Sequence, residues 1–155
     1  MILAFGSDHA GFPLKEHLIE TAKTLGHEVL DLGTYSLESV DYPEYAVAVS
    51  EAVLGGRAAL GVVICSNGVG ISITANKVPG IRCALCHTSW GAARARQHAN
   101  ANVLALGGWE TGIGVADDIL RAFTKAEFEG GRHERRVGKM MDVEARGIAR
   151  ETTRA

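Results

Sequence analysis

At 155 residues the chain is long enough for one domain with a substantial core and too short for a second of similar size, so a single domain over 1–155 is expected. Its 46% apolar and 22% charged residues are ordinary for a soluble globular protein, and a formal charge of −2 gives no basic surplus for nucleic acid, which leaves small molecules as the expected ligands. No apolar run reaches the ~20 residues of a membrane span; the first eight residues lack a signal peptide's basic and apolar regions, and three cysteines without small-scaffold spacing fit a reducing cytoplasm.

Short apolar runs alternate with longer amphipathic ones, the pattern of βα units around a parallel sheet. Strands are expected over 2–5, 28–32, 60–65, 82–86 and 103–106, and helices over 13–25, 43–54, 69–77, 89–97 and 112–123. Pro13 and Pro43 fall in first helical turns, where a missing N–H costs nothing. Gly26 and Gly55 fall just past helix ends, as terminating glycines do. The loop over 33–41 is long enough to cover a site. After Glu129-Gly130-Gly131 breaks the chain, a charged segment from Arg132 to Arg154 reads as a terminal helix leaving the compact body, with 129–155 as a C-terminal extension.

An open parallel sheet binds its ligands beyond the carboxyl ends of its strands. The residues that follow each strand therefore form one set. They are Ser7-Asp8-His9-Ala10-Gly11, Cys65 to Gly70, His87-Thr88-Ser89 and Gly107-Gly108-Trp109, with His98 and Asn102 close to the fifth strand in sequence. Cys65 is last in an apolar strand and runs into Ser66-Asn67-Gly68-Val69-Gly70 and a helix. Most free cysteines are merely buried, but here the free N–H groups and helix dipole make an anion site and favour the thiolate.

Several motifs fail. Position 71 is Ile, so the Cys-x5-Arg phosphatase signature is absent, and Ile73 stands where a dinucleotide fingerprint needs its third Gly. Cys83-Ala84-Leu85-Cys86-His87 matches a haem-attachment string, yet within a strand residues three apart point to opposite faces and cannot grip one group. Both cysteines are read as structural. A redox role for Cys65 lacks a partner cysteine nearby in sequence. His98 alone reads as a helix-end histidine favoured by the dipole, and Asp8-His9 as a cap for the first helix. Arg132 and Arg136, four apart, share a helix face that is either solvated or a fork for phosphate.

In this order these pieces, together with Asp31-Leu32-Gly33-Thr34-Tyr35, Val40-Asp41-Tyr42-Pro43, Ala75-Asn76-Lys77, Gly80-Ile81-Arg82 and Glu129 to Arg136, resemble the ribose-5-phosphate isomerase B family, which also holds galactose- and allose-phosphate isomerases. The resemblance runs from Met1 to about Val143. It implies a Rossmann-like three-layer α/β sandwich with a five-stranded parallel sheet, a homodimer with shared sites, with further pairing into a tetramer left open, no metal or organic cofactor, and a place in the pentose phosphate pathway. It assigns Cys65 as the base moving a proton between C1 and C2 of the open-chain sugar, and His98 as the acid that opens the ring. The N–H groups from Ser66 through Asn67, Gly68 and Val69 to Gly70 would hold the enediolate oxygen, with Asp8 and Tyr42 near the sugar hydroxyls. His9, Arg132 and Arg136 would take the phosphate, the arginines from the partner subunit.

Three positions depart from the family pattern: Asn67 where Thr or Ser is common, Ala99 where Asn follows the histidine, and Trp109 where an Arg often holds phosphate. They leave open a six-carbon or four-carbon sugar phosphate as the substrate, or a sugar-phosphate-binding protein without turnover. Trp109 either stacks on a sugar face or fills space.

Overall fold

The computed structural model describes residues 1–152, with side chains as far as Ala149; Arg154 and the end of the expected extension lie outside the described residues. In chain order the elements are β1 (Ile2–Ser7), α1 (Phe12–Thr24), β2 (Glu28–Asp31), α2 (Tyr42–Leu54), β3 (Leu60–Cys65), α3 (Val69–Ala75), β4 (Cys83–Leu85), α4 (Ser89–Ala99), β5 (Val103–Gly107), α5 (Ile113–Lys125) and α6 (Arg132–Thr152). The five strands form one parallel sheet in the order β2-β1-β3-β5-β4. From β1 the chain steps outward to β2, whereas β3 leads to strands on its other side. The switch point where an α/β sheet opens a crevice therefore lies between β1 and β3.

Helices cover both faces of the sheet. On one, Leu3, Phe5, Val62, Ile64, Leu104 and Leu106 pack against Leu14 and Leu18 of α1, Ala92 of α4, and Ile119, Leu120 and Phe123 of α5. On the other, Ala4, Val63, Cys65, Val103 and Ala105 meet Ala46, Val49 and Ala52 of α2 and Ile71 and Ala75 of α3. β3 is buried along its whole length, which is why it reads as an unbroken apolar run.

Local chemistry moves several boundaries. The Arg82 N–H donates to Asn102 Oδ1 at 2.8 Å instead of to the ladder, so β4 is shorter than 82–86. Asn76 ends α3 early, because its side chain bonds to the carbonyl and N–H of Cys83 and to the Ser72 carbonyl. Gly26, at φ 81°, does terminate α1 in a left-handed turn, but after α2 that role belongs to Gly56, at φ 72°, while Gly55 has φ −77° and ψ 1°. Cys83 packs in the α2–α3 core and Cys86 in the α1–α4–α5 core, so the two thiols do point apart.

Lys15 is 0% exposed and donates to both oxygens of Asp31 at 2.7 Å. Asp31 also accepts from the Gly33 N–H, and its carbonyl takes the Tyr35 hydroxyl proton, so this ion pair ties α1 to the start of the 33–41 loop.

The terminal helix does not leave the body as expected. It packs along α4, and Glu144 accepts the Gly80 N–H with both carboxylate oxygens, at 3.0 and 3.1 Å. Most of its other described side chains remain exposed.

Candidate active site

The loops following β1, β3 and β5 interlock at the carboxyl edge of the sheet. The Asp8 N–H donates to the Ile64 carbonyl at 3.2 Å, Gly108 to Cys65 at 2.8 Å and Trp109 to Ser66 at 3.0 Å. Cys65, 3% exposed, ends β3 opposite Gly107 at the centre of this knot. Gly68 turns the chain into α3 at φ 76°, where a Cβ would lie 2.5 Å from Leu85 Cδ1 and 2.9 Å from the Leu106 carbonyl carbon. Glycine is required there both by dihedral and by space. Asn67 Oδ1 accepts the Val69 N–H at 3.1 Å, so its carbonyl oxygen serves the loop, while among the described residues no acceptor takes the N–H groups of Gly68 and Gly70. At Gly70 a Cβ would sit 2.6 Å from Tyr42 Cζ; lacking one, the loop lets the phenol ring of Tyr42 rest against it.

Asp8 is buried and its Oδ1 accepts the Gly11 N–H at 2.9 Å. That closes a turn ahead of α1 and does not cap the helix, whose N-cap is Gly11 itself. His9 Nδ1 accepts the Val40 N–H at 3.2 Å, so the 33–41 loop does reach over this edge. Trp109 is anchored by its backbone, yet its side chain is 76% exposed.

His98 and Asn102 are elsewhere. A helix that follows a parallel strand runs back toward the strands' amino ends, and His98 lies in the last turn of α4. It therefore stands at the opposite edge of the sheet from Cys65, in the opposite helical layer. Ala99, the final residue of α4, gives its carbonyl to Arg82 Nε. Asn102 bonds Arg82 and Gly80 where β4 and β5 begin and is structural.

A second cluster forms around His98. Its ring stacks on that of His133, with centroids 4.0 Å apart and planes 6° from parallel. Glu129 Oε2 lies 3.6 Å from His98 Nε2 and 3.7 Å from His133 Nε2, and its Oε1 lies 3.7 Å from the Arg94 guanidinium. Arg132 donates from Nε to His133 Nε2 at 3.3 Å, and Arg132 and Arg136 are both exposed in the first turns of α6. Burial, then the positive surroundings of His98, Arg132 and Arg136, hold the His133 imidazole below its ordinary pKa, against the opposing pull of Glu129.

The chain thus gathers Asp8, His9, Tyr42, Cys65 to Gly70 and Trp109 at one edge, and His98, Ala99, Arg132 and Arg136 at the other. Glu129 and His133 were missed as functional candidates from the sequence. Glu129 looked only like the start of a chain break, and a stacked imidazole pair 35 positions apart leaves no local pattern. The remaining thiols are inert: burial pushes Cys86 up to about 11 and Cys83 higher still, the nearby Cys86 adding to the latter.

A five-stranded parallel sheet with helices on both faces and a thiol at its switch point defines an α/β protein whose candidate site lies over its strand ends. Residues 3–140 match the ribose/galactose isomerase family, and the chain belongs to it. The ribose-5-phosphate isomerase B of Escherichia coli K12 is 46% identical over 144 residues, 93% of this chain and 97% of that protein. A solved ribose-5-phosphate isomerase B from Clostridium thermocellum superimposes with TM-score 0.93 at 49% identity, covering 94% of this chain and 99% of its own. The Mycoplasma genitalium ribose-5-phosphate isomerase B, solved with bound ribulose 5-phosphate, has TM-score 0.87 at 41% identity, covering 93% and 96%. The expected α/β sandwich and family are therefore correct. Among the described residues no helix is long and apolar enough to cross a membrane.

Proposed function

We propose that this chain interconverts ribose 5-phosphate and ribulose 5-phosphate, as a cytoplasmic enzyme whose sites are shared between two copies. The observation that carries the reading is Cys65, ending β3 beside a loop whose Gly68 and Gly70 amides have no acceptor among the described residues. In the open-chain aldose the Cys65 thiolate takes the proton from C2, giving an enediolate, and returns it to C1 while the hydroxyl proton of O2 passes to O1. Preorganised amides are suited to the developing oxyanion. A thiol, with an ordinary pKa of about 8.5, cycles between base and acid near neutrality, and the step calls on no cofactor.

Asp8 and Tyr42 border the same loop and are assigned to the sugar hydroxyls. Because His9 Nδ1 accepts a hydrogen bond, its neutral ring carries a proton on Nε2, available to a phosphate oxygen. His98, Arg132 and Arg136 are too far around the sheet to serve the Cys65 of their own chain. We assign them to the site of a second copy, where His98 opens the furanose ring and the arginines take phosphate. Exposed Val69 and Ile73 on α3 give apolar surface for such a pairing beside the loop.

A second reading keeps the chemistry and changes the sugar, to allose 6-phosphate, galactose 6-phosphate or a four-carbon phosphate. The exposed Trp109 ring and the Asn67 side chain turned back into its loop favour it. The test is product formation from each sugar with chelator present, beside Cys65→Ala. Fast Cys65-dependent turnover of ribose 5-phosphate is expected. Preference for another sugar selects the second reading, and turnover of none, with binding intact, makes the chain a sugar-phosphate-binding protein.

A further inference from the structure

Glu129 sits in the segment that joins α5 to α6. Its backbone N–H donates to the Gln97 carbonyl at 3.0 Å, which pins it one residue from His98. Its side chain then spans three partners, with Oε1 toward Arg94 at 3.7 Å and Oε2 toward the Nε2 atoms of His98 and His133 at 3.6 and 3.7 Å. Arg94 is itself held by Gln97 Oε1 at 3.0 Å and approaches His98 Nε2 at 3.5 Å. His133, 5% exposed, lies flat under the His98 ring and fixes its plane. The imidazole of His98 is restrained on one face and along its Nε2 edge, and among the described residues Nδ1 has no hydrogen-bond partner.

We propose that Glu129 is a positioning residue for His98: it engages the Nε2 edge so that Nδ1 is the nitrogen that exchanges a proton with the furanose ring oxygen. The proposal rests on the reading of His98 as the ring-opening acid. Imidazoles that move protons commonly have one nitrogen fixed by a carboxylate, which sets the tautomer and the ring orientation. When His98 passes the Nδ1 proton to the ring oxygen, its Nε2 stays held between Glu129 Oε2 at 3.6 Å and the Arg94 guanidinium at 3.5 Å. The bond between the ring oxygen and the anomeric carbon breaks as the anomeric hydroxyl gives its proton to solvent water, and the aldehyde and a free C4 hydroxyl result.

Two imidazoles and a carboxylate with ligand atoms within 4.8 Å of one another are also the components of a cation site. The arrangement disfavours that use. Rings 6° from parallel direct their in-plane lone pairs side by side rather than at one point. The charged groups facing the cluster are Arg94 on α4 and Arg132 and Arg136 on α6, all positive and opposed only by Glu129.

The test separates ring opening from proton abstraction. Ribulose 5-phosphate is acyclic, because the oxygen that would close its ring carries the phosphate, so abstraction at C1 needs Cys65 and not His98. Turnover of ribose 5-phosphate is measured beside loss of the C1 proton signal of ribulose 5-phosphate in D2O, for the unaltered chain, Glu129→Gln, Glu129→Asp and Cys65→Ala. Glu129→Gln is expected to slow ribose 5-phosphate turnover by about 10- to 100-fold, the usual scale for losing a histidine's carboxylate partner. It should leave C1 proton loss within about twofold, with Glu129→Asp recovering most of the turnover. Unchanged ribose 5-phosphate turnover in Glu129→Gln, or equal slowing of both reactions, overturns the positioning role. Retention of C1 proton loss in Cys65→Ala, or inertness of the unaltered chain, overturns instead the function on which it rests.

Discussion

Gly68 bears more on the site than its size implies. An alanine there would combine the left-handed dihedral penalty of about 1–2 kcal/mol with contacts to Leu85 and to the Leu106 backbone that cannot yield. Gly68→Ala is expected to lower unfolding free energy by at least that amount in urea titrations and to cut turnover by more than the lost stability explains. Among the cysteines the distinction is one of neighbourhood. Cys83 and Cys86, held protonated by burial, should resist alkylation at pH 8 in the folded chain, and Cys86→Ala should leave turnover intact; fast labelling of either thiol, read by mass spectrometry, would contradict the account. Cys65 was legible in the sequence because strand, loop and helix are contiguous there. Glu129 was not, since its partners at 94, 98 and 133 meet only when α4 and α6 pack.

At the level of elements, the fastenings of α6 include the Glu144 grip on Gly80 and the burial of His133. Glu144→Ala should speed hydrogen exchange at the Gly80 amide and expose α6 to limited proteolysis while the sheet core stays protected. The His133 fastening is pH-dependent, with a definite sign. The folded chain holds its imidazole below the ordinary value of about 6.5, so the unfolded chain binds the extra proton first as pH falls. Stability from this group is present above about pH 6.5 and lost below it. The melting temperature should therefore fall between about pH 7.5 and pH 5.5, and fall less in His133→Gln; equal falls would show that the ring is accommodated charged. The sequence placed this helix correctly but sent it away from the body, because nothing in a charged run of residues announces that Glu144 will meet a backbone amide 64 positions earlier.

For the whole molecule, the strand order and the two cores follow from alternating apolar runs, and those were readable in the chain. Which edge of the sheet each polar residue occupies was only half readable. Residues just after strands went to the carboxyl edge as expected, whereas His98 was grouped with them through its nearness to β5 although α4 carries it to the other end. The proposed completion of each site across two copies makes a specific demand. When Cys65→Ala and His98→Ala chains, each inactive alone, are mixed and allowed to exchange, half the mixed pairs' sites are intact, and about a quarter of the unaltered activity should return. No recovery despite demonstrated exchange would place both residues in one chain's site.

The polarity of the sheet, which sets thiol and imidazole at opposite ends of one chain, also decides how damage would be inherited. If two copies share their sites as proposed, a chain lacking both groups would spoil both sites of any pair it joined: the intact partner's thiol would face no imidazole, and its imidazole no thiol. Made in equal amounts with the normal chain, such a product would leave only about a quarter of pairs working, so a doubly defective copy would act as a dominant poison where either single defect would be partly rescued by the other.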